Sequence, residues 1–264
     1  MAPTTRSPRN ISTSTSTVTD DLPPPAQLSS FALLGFGECG WGATLLWGLV
    51  NSIIIALGAY GLGFLIGIGG AFGKLYGGPI LKDLLGVYTT IVRAVPELVL
   101  ILILFYAFTG ILNEALLAWG FDRVQISPIV TGIAVLGIVQ GAYQTEVLRG
   151  GILAVPAGQI EAAKAMGMPR GLLARRITLP LMASNALPGM ANLWLNATKD
   201  TALLAVIGFS ELTQATKQAA STTKAFFTFF AAAMVLYLCI SLLSTFLIGR
   251  IEKWARRGQR DVRG

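Results

Sequence analysis

Apolar runs dominate residues 41–249 of this 264-residue chain, and one long polar interval, residues 146–180, interrupts them. Apolar runs of about 20 residues are long enough, as helices, to cross the hydrocarbon core of a bilayer, which is roughly 30 Å thick. Inside a bilayer the protein must satisfy its own backbone hydrogen bonds, and a helix does so within one segment. Hydrophobic residues make up 53% of the chain and charged residues 12%, which also places it in the membrane class.

The apolar runs predict about five transmembrane helices and therefore an all-α integral membrane protein. The predicted spans are residues 41–72, 84–109, 126–143, 181–198 and 226–248. In the first span, Gly63 and Gly67 form a small-xxx-small pair that allows another helix to approach closely.

The predicted domain organisation has three parts. Residues 1–35 form a tail rich in Ser, Thr and Pro that is expected to be disordered. Residues 36–250 are expected to form the transmembrane domain. Residues 251–264 are basic and are expected to stay in the cytoplasm.

The distribution of basic residues predicts the orientation of the chain. Of the 20 Lys and Arg residues, 14 lie on one side of the predicted spans, and this side includes the interval 146–180. By the positive-inside rule that side is cytoplasmic, with the C-terminus, so the N-terminus is expected outside. The basic residues are divided among loops and do not gather on one face, so the net charge of +7 does not indicate nucleic-acid binding.

Several kinds of chemistry are disfavoured by the composition. The chain has no histidine, which removes imidazole metal sites and Ser-His-Asp or Cys-His catalysis. It also lacks a phosphate-binding loop: around Gly73-Lys74, Ile68 occupies the first glycine position and Leu75 the Ser/Thr position. We therefore expect no catalytic residue, no metal and no cofactor bound by this chain.

The polar interval predicts two short helices. Pro156 starts the first and Gly167 ends it, while Pro169 opens a second, predicted to cover residues 170–177 and to end before Leu179-Pro180. Both are too short, and the second too charged, to cross a bilayer.

The sequence Glu161-Ala162-Ala163, followed at fixed spacing by Gly167 and Ile177-x-Leu179-Pro180, resembles the EAA loop of the membrane subunits of ATP-binding-cassette importers. Glu-Ala-Ala alone would suit an ordinary amphipathic cytosolic loop, but the whole pattern favours the resemblance. It implies coupling helices that sit in a cleft of an ATPase subunit. The residues assigned to ATPase coupling are Gly158, Glu161, Ala162, Ala163, Gly167 and Arg170.

Three further segments resemble polar amino-acid permeases, in particular the histidine/lysine/arginine/ornithine and octopine/nopaline branch. They are Arg93-Ala94-Val95-Pro96-Glu97-Leu98, Gly141-Ala142-Tyr143 with Glu146 and Arg149-Gly150, and Lys199-Asp200-Thr201. Ala94 stands where the family has glycine. The resemblance implies a type I importer fold, a second homologous permease subunit, two copies of an ATPase that uses ATP and Mg, and a periplasmic substrate-binding protein.

Polar residues within or beside the apolar runs are candidates for a substrate pathway, because a polar group in a bilayer is costly unless it faces protein or water. They are Glu97, Gln140, Tyr143, Asn192, Asn196, Lys199 and Asp200. Structural alternatives exist for five of them. Arg93 and Glu97 are spaced for a helical ion pair. Gln140 and Tyr143 are equally suited to hydrogen bonding across helices. The pair Lys199-Asp200 is suited to a helix end at the interface, with the Lys199 ammonium group in the water.

The expected function is that of a permease subunit in an ATP-driven importer of the bacterial inner membrane, in contact with lipid. Its cargo would be polar amino acids, basic ones above all, or opines, moved by alternating access. The alternative is a stand-alone secondary amino-acid transporter with ion sites at Glu97, Lys199 and Asp200. That alternative is weaker because such folds often contain inverted repeats, and five spans do not divide into equal halves.

Overall fold

The computed structural model describes residues 33–37, 40–122 and 127–255, and regular structure within these ranges is helical. The helices are α1 (Gly42–Tyr76), α2 (Pro79–Ala94), α3 (Glu97–Ala118), α4 (Pro128–Leu153), α5 (Ala157–Ala165), α6 (Arg170–Leu173), α7 (Leu179–Asp200), α8 (Leu212–Thr223) and α9 (Phe226–Ala255). The predicted disorder of the N-terminal tail falls mainly outside the described residues, as does most of the basic C-terminal tail.

Within the described ranges, three helices are long and apolar enough to cross a membrane by length and composition: α1, α3 and α9. Helices α4 and α7, of 26 and 22 residues, are also long enough but carry more polar residues. Helix α4 contains most of the predicted span 126–143, and α7 contains all of the predicted span 181–198. The prediction of an all-helical membrane fold is thus confirmed.

The second predicted span, residues 84–109, is wrong as a single helix. Helix α2 ends at Ala94 and α3 begins at Glu97, with Val95 between them in extended conformation at φ −91° and ψ 140°. Pro96 explains the break, because proline has no N–H to donate and disfavours helical geometry at the residue before it.

The break also excludes the proposed helical pairing of Arg93 with Glu97, since the two residues belong to different helices. Among the described residues, the ion pairs involve Glu146 with Lys74 and with Arg149. Glu97 instead becomes the first residue of α3, where its side chain can turn toward α4 and α7.

The end predicted for the second short helix, before Leu179-Pro180, is also wrong. From α6 the chain passes through a π-helical segment, Ala174–Thr178, directly into α7. Proline is tolerated in the first turn of a helix because the N–H that it lacks is not needed there. The interval therefore leads into a membrane helix without a loop.

The other end of α7 and the helix after it also differ from the prediction. The helix continues through Lys199 and Asp200 and then tightens into a 3-10 segment, Thr201–Ile207. Helix α8 was not predicted, because its sequence LTQATKQAASTT contains no long apolar run. Its start is fixed by Glu211, which is fully buried and accepts hydrogen bonds from the backbone N–H groups of Thr213 and Gln214, both at 2.8 Å.

Helices α1 and α4 pack closely along a row of glycines. A Cβ added at Gly63 would lie 2.9 Å from Gln140 Cβ, and one added at Gly67 would lie 2.9 Å from Gln144 Cβ. Real side chains essentially never approach so closely, so the contact requires glycine. The predicted role of the Gly63 and Gly67 pair is confirmed, and α4 is the partner helix.

We expect Gly67→Ala to destabilise the protein by about 1–3 kcal/mol, because the added methyl group overpacks the contact with Gln144. Gly69→Ala is the matched control, since a Cβ at Gly69 has nothing within 4 Å. Thermal unfolding in detergent measures both. Equal melting temperatures for the two variants would show that the α1–α4 contact is not tightly packed.

Candidate functional site

A polar cavity of about 130 Å³ lies where α3, α4 and α7 meet. Its lining residues are Glu97, Gln140, Tyr143, Leu193, Asn196 and Asp200. Most of these side chains are polar, whereas the membrane helices around them are apolar. Such a site is costly in a membrane protein, which makes it a candidate for function.

Simple backbone features bring these residues together. The break at Pro96 places Glu97 at the start of α3. On α4, Gln140 and Tyr143 are three residues apart, and on α7 Asn196 and Asp200 are four apart, so each pair lies on one helix face.

The cavity is acidic. The carboxyl groups of Glu97 and Asp200 line the same small cavity, and Gln140 Nε2 donates to Asp200 Oδ2 at 3.2 Å. The other amide atom, Gln140 Oε1, is buried without a hydrogen-bond partner. In the part of the chain that the structure describes, neither Glu97 nor Asp200 has an ion-pair partner. The cavity thus presents acceptor oxygens to any group that enters it.

Five of the seven predicted pathway residues line this cavity, and two do not. Asn192 and Lys199 are exposed and lie outside it, because each is one residue away from a lining position and so points to another side of α7. Leu193 was missed, since an apolar residue within an apolar helix carries no signal. Lys199 is exposed, whereas its neighbour Asp200 faces the cavity.

A second set of contacts holds α4 and α7 against α1 next to the cavity. Gln144 Nε2 donates to the carbonyl oxygen of Tyr60 at 3.2 Å, and the Tyr60 hydroxyl donates to the carbonyl oxygen of Met190 at 3.0 Å. The Tyr60 ring meets Trp194 edge to face, with centroids 5.5 Å apart. These contacts fix the helix faces that line the cavity.

The predicted coupling residues occupy α5, the following turn and the start of α6. Gly158, Glu161 and Ala162 are exposed on α5, and Arg170 is exposed at the start of α6. Gly167 has φ 72°, the left-handed conformation expected from its place between two helices. Ala163 differs from the others because it is 5% exposed. Its small side chain therefore serves packing within this chain.

Close to this segment, a cluster of charges joins three helices. Glu146 on α4 pairs with Lys74 on α1, and Arg149 binds Glu146 Oε2 through Nε at 3.0 Å and Nη2 at 2.9 Å. Lys74 Nζ also donates to Thr89 Oγ1 on α2 at 2.6 Å. Sequence reasoning missed this cluster, because its members are up to 75 residues apart in the chain and only folding makes them neighbours.

An all-helical membrane bundle, a polar cavity among its helices and an exposed helical pair outside the apolar spans together define a membrane transport subunit. The comparisons with known proteins agree. The family model described as "binding-protein-dependent transport system inner membrane component" matches residues 59–257, and the chain belongs to this family.

Similar proteins extend over most of the chain. The nopaline transport system permease protein NocQ of Agrobacterium fabrum is 40% identical, over 87% of this chain and 98% of that protein. The histidine/lysine/arginine/ornithine transport system permease protein HisQ of Escherichia coli is 38% identical, over 81% of this chain and 94% of that protein.

Solved structures show the same fold. An amino acid ABC transporter with histidines is similar at 27% identity and a TM-score of 0.68, over 81% of this chain and 94% of that one. The MetNI methionine transporter in an inward-facing conformation is similar at 18% identity and a TM-score of 0.66, over 81% and 97%, which supports the fold alone.

The chain is therefore a permease subunit of an ATP-binding-cassette importer with the type I fold, and not a stand-alone secondary transporter. It is an inner-membrane protein that works with an ATPase and a substrate-binding protein. As a transport permease, it is not itself an enzyme.

We expect Glu146→Gln to destabilise the protein by about 2 kcal/mol or more, because two cationic side chains lose their partner in a partly buried site. The matched control is Asp83→Asn, because the Asp83 carboxylate is exposed. A double-mutant cycle with Lys74→Met, followed by thermal unfolding, measures the coupling. Additive effects of the two substitutions would show that the pair contributes little.

Proposed function

We propose that this permease moves cationic polar amino acids or opines across the membrane, and that the cationic group of the cargo passes through the cavity at Glu97 and Asp200. The observation that carries this proposal is the pair of carboxyl groups without a cationic partner among the described residues. A positively charged ligand supplies the missing counter-charge, whereas an anionic ligand would be repelled.

The cavity has room for the cationic end of such a cargo. A volume of about 130 Å³, where one water takes up about 30 Å³ of liquid, is enough for an ammonium or guanidinium group. A guanidinium group suits the site well, because its planar set of N–H donors matches carboxylate oxygens. The names of NocQ and HisQ, which refer to nopaline and to histidine, lysine, arginine and ornithine, support this choice of cargo.

The same proposal assigns ATP chemistry to other subunits. Two ATPase copies would bind ATP and Mg, and the exposed surface of α5 and α6 would dock in a cleft of one copy, with Glu161, Ala162 and Arg170 at the contact. A second homologous permease would complete the pathway. A periplasmic binding protein would deliver cargo to the outer side, where the N-terminus would also lie, with the C-terminus in the cytoplasm.

The path from the docking surface to the cavity is helical. From α6 the chain runs through the π segment and α7 to Asp200, and α4 ends only four residues before α5 begins. A shift of the docked helices would therefore move α4 and α7 as rigid bodies and change the cavity that they line. Such a movement is the basis for alternating access here.

Replacing the acidic groups tests the cargo. In Glu97→Gln and Asp200→Asn, we expect arginine uptake by reconstituted proteoliposomes to fall by about tenfold or more, since a hydrogen bond to a charged group contributes about 1.5–3 kcal/mol. Asn192→Ala is the matched control, because Asn192 is exposed outside the cavity on the same helix. Unchanged arginine uptake in the Glu97→Gln/Asp200→Asn double variant would remove this cavity from the pathway.

Replacing the docking residues tests the coupling. Glu161→Lys reverses an exposed charge, and Gly167→Pro is incompatible with φ 72°. We expect both variants to remain in the membrane but to lose uptake and to copurify with less ATPase in mild detergent. Glu114→Lys, a charge reversal at an exposed position on α3, is the control. Normal uptake in Glu161→Lys and in Gly167→Pro would remove the coupling role of this segment.

A further inference from the structure

The two carboxyl groups line one small cavity of about 130 Å³, and neither has an ion-pair partner among the described residues. Two negative charges in so small a space repel each other, which favours a singly protonated pair. An ionised carboxylate has acceptor atoms only, so a hydrogen bond between two carboxyl groups requires a proton on one of them. The shared cavity therefore favours one proton on the pair of Glu97 and Asp200.

The surroundings of the pair do not supply another counter-charge at bonding distance. The charged and titratable groups nearby are Tyr143 on α4, which lines the same cavity, Lys199 beside Asp200, and Arg93 at the end of α2, which lies near Tyr143. Arg93 and Lys199 are exposed, and neither forms an ion pair with Glu97 or Asp200 in the described structure. The hydrogen bond that reaches the pair comes from the neutral side-chain amide of Gln140, which donates to Asp200.

We propose that, in the absence of cargo, Glu97 and Asp200 share one proton, and that the cationic group of the cargo displaces this proton into solvent as it enters the cavity. This inference rests on the proposed cationic cargo. The O–H bond of the protonated carboxyl group breaks, its proton passes to water and buffer, and both carboxylates then accept N–H groups of the cargo. One positive charge enters and one leaves, so the net charge of the cavity is unchanged.

The exchange explains how a protein with a cavity for cations can remain stable when no cationic cargo is bound. With a shared proton, the pair carries a single negative charge, and the cost of a second buried charge arises only when a cation is present to balance it. A neutral analogue cannot take the place of the proton. The unpartnered Gln140 Oε1 fits the same scheme, because an entering N–H group would give this buried acceptor its missing donor.

The test is a titration of the purified permease–ATPase complex with L-arginine, by isothermal titration calorimetry at neutral pH, in phosphate and in Tris. These buffers differ in ionisation enthalpy, so the difference in heat reports proton release. We expect release of about one proton for each arginine bound. L-Citrulline, which has nearly the same shape but no charge on its side chain, should bind at least tenfold more weakly and release no proton.

Variants of the two acidic residues test whether the released proton comes from this pair. Asp200→Asn and Glu97→Gln each leave one titratable carboxyl group, so arginine should bind at least tenfold more weakly without proton release. Asn192→Ala should behave as the unmodified protein. If a variant does not fold, infrared difference spectroscopy of the unmodified complex tests the same step, since arginine should remove the band of a protonated carboxyl group.

The outcomes distinguish the two proposals. Arginine binding with equal heats in both buffers and no infrared change would overturn the shared proton but leave the cationic cargo in place. No arginine binding by the unmodified complex would overturn the proposed cargo, and the proton exchange with it. Proton release that persists in Asp200→Asn and in Glu97→Gln would assign the proton to another group and overturn the inference.

Discussion

The close approach of α1 and α4 is the contact on which the rest of this structure depends. Lipid tails are as apolar as the helix surfaces, so helices in a membrane associate through tight packing and hydrogen bonds rather than through the hydrophobic effect. Gly63 and Gly67 on α1 meet α4, while Gly137 and Gly141 on α4 meet Leu62 and Ile66 of α1. The same contact fixes the rotation of α4, which carries Gln140 to the cavity and Glu146 to the charge cluster.

Breaks and continuities in the helices divide the protein into parts with different roles. Regular helix stops at the cavity, where Pro96 separates α2 from α3 and where α7 gives way to a 3-10 segment after Asp200. Each break brings a carboxyl group to the end of a helix. At the proposed docking surface, by contrast, the chain continues from α6 into α7. A movement there can therefore reach the cavity without being absorbed by a flexible loop.

Three acidic sites show how the surroundings of a carboxyl group decide its role. Glu146 is held by two cationic side chains, and Glu211 by two backbone N–H groups and the hydroxyl groups of Ser52 and Tyr237. Both are fully partnered and stabilise helix contacts. The pair of Glu97 and Asp200 has one amide donor, Gln140, and no cation at bonding distance in the described structure. This difference is why the proposed contact with a cationic cargo is placed at this pair.

By itself, the sequence determined the membrane class, the approximate positions of most spans, the short helices of the polar interval and five of the residues that line the cavity. These features depend on local composition and spacing, which act within a few turns of helix. The role of Pro96 as a break is also local, yet the apolar residues on both sides concealed it. Tertiary structure alone decided that Asp200 faces the cavity while Lys199 does not, that Lys74 meets Glu146, and that the polar helix α8 forms beside α1 and α9. Each of these depends on how helices rotate and pack against one another, and that is settled by contacts between residues far apart in the chain.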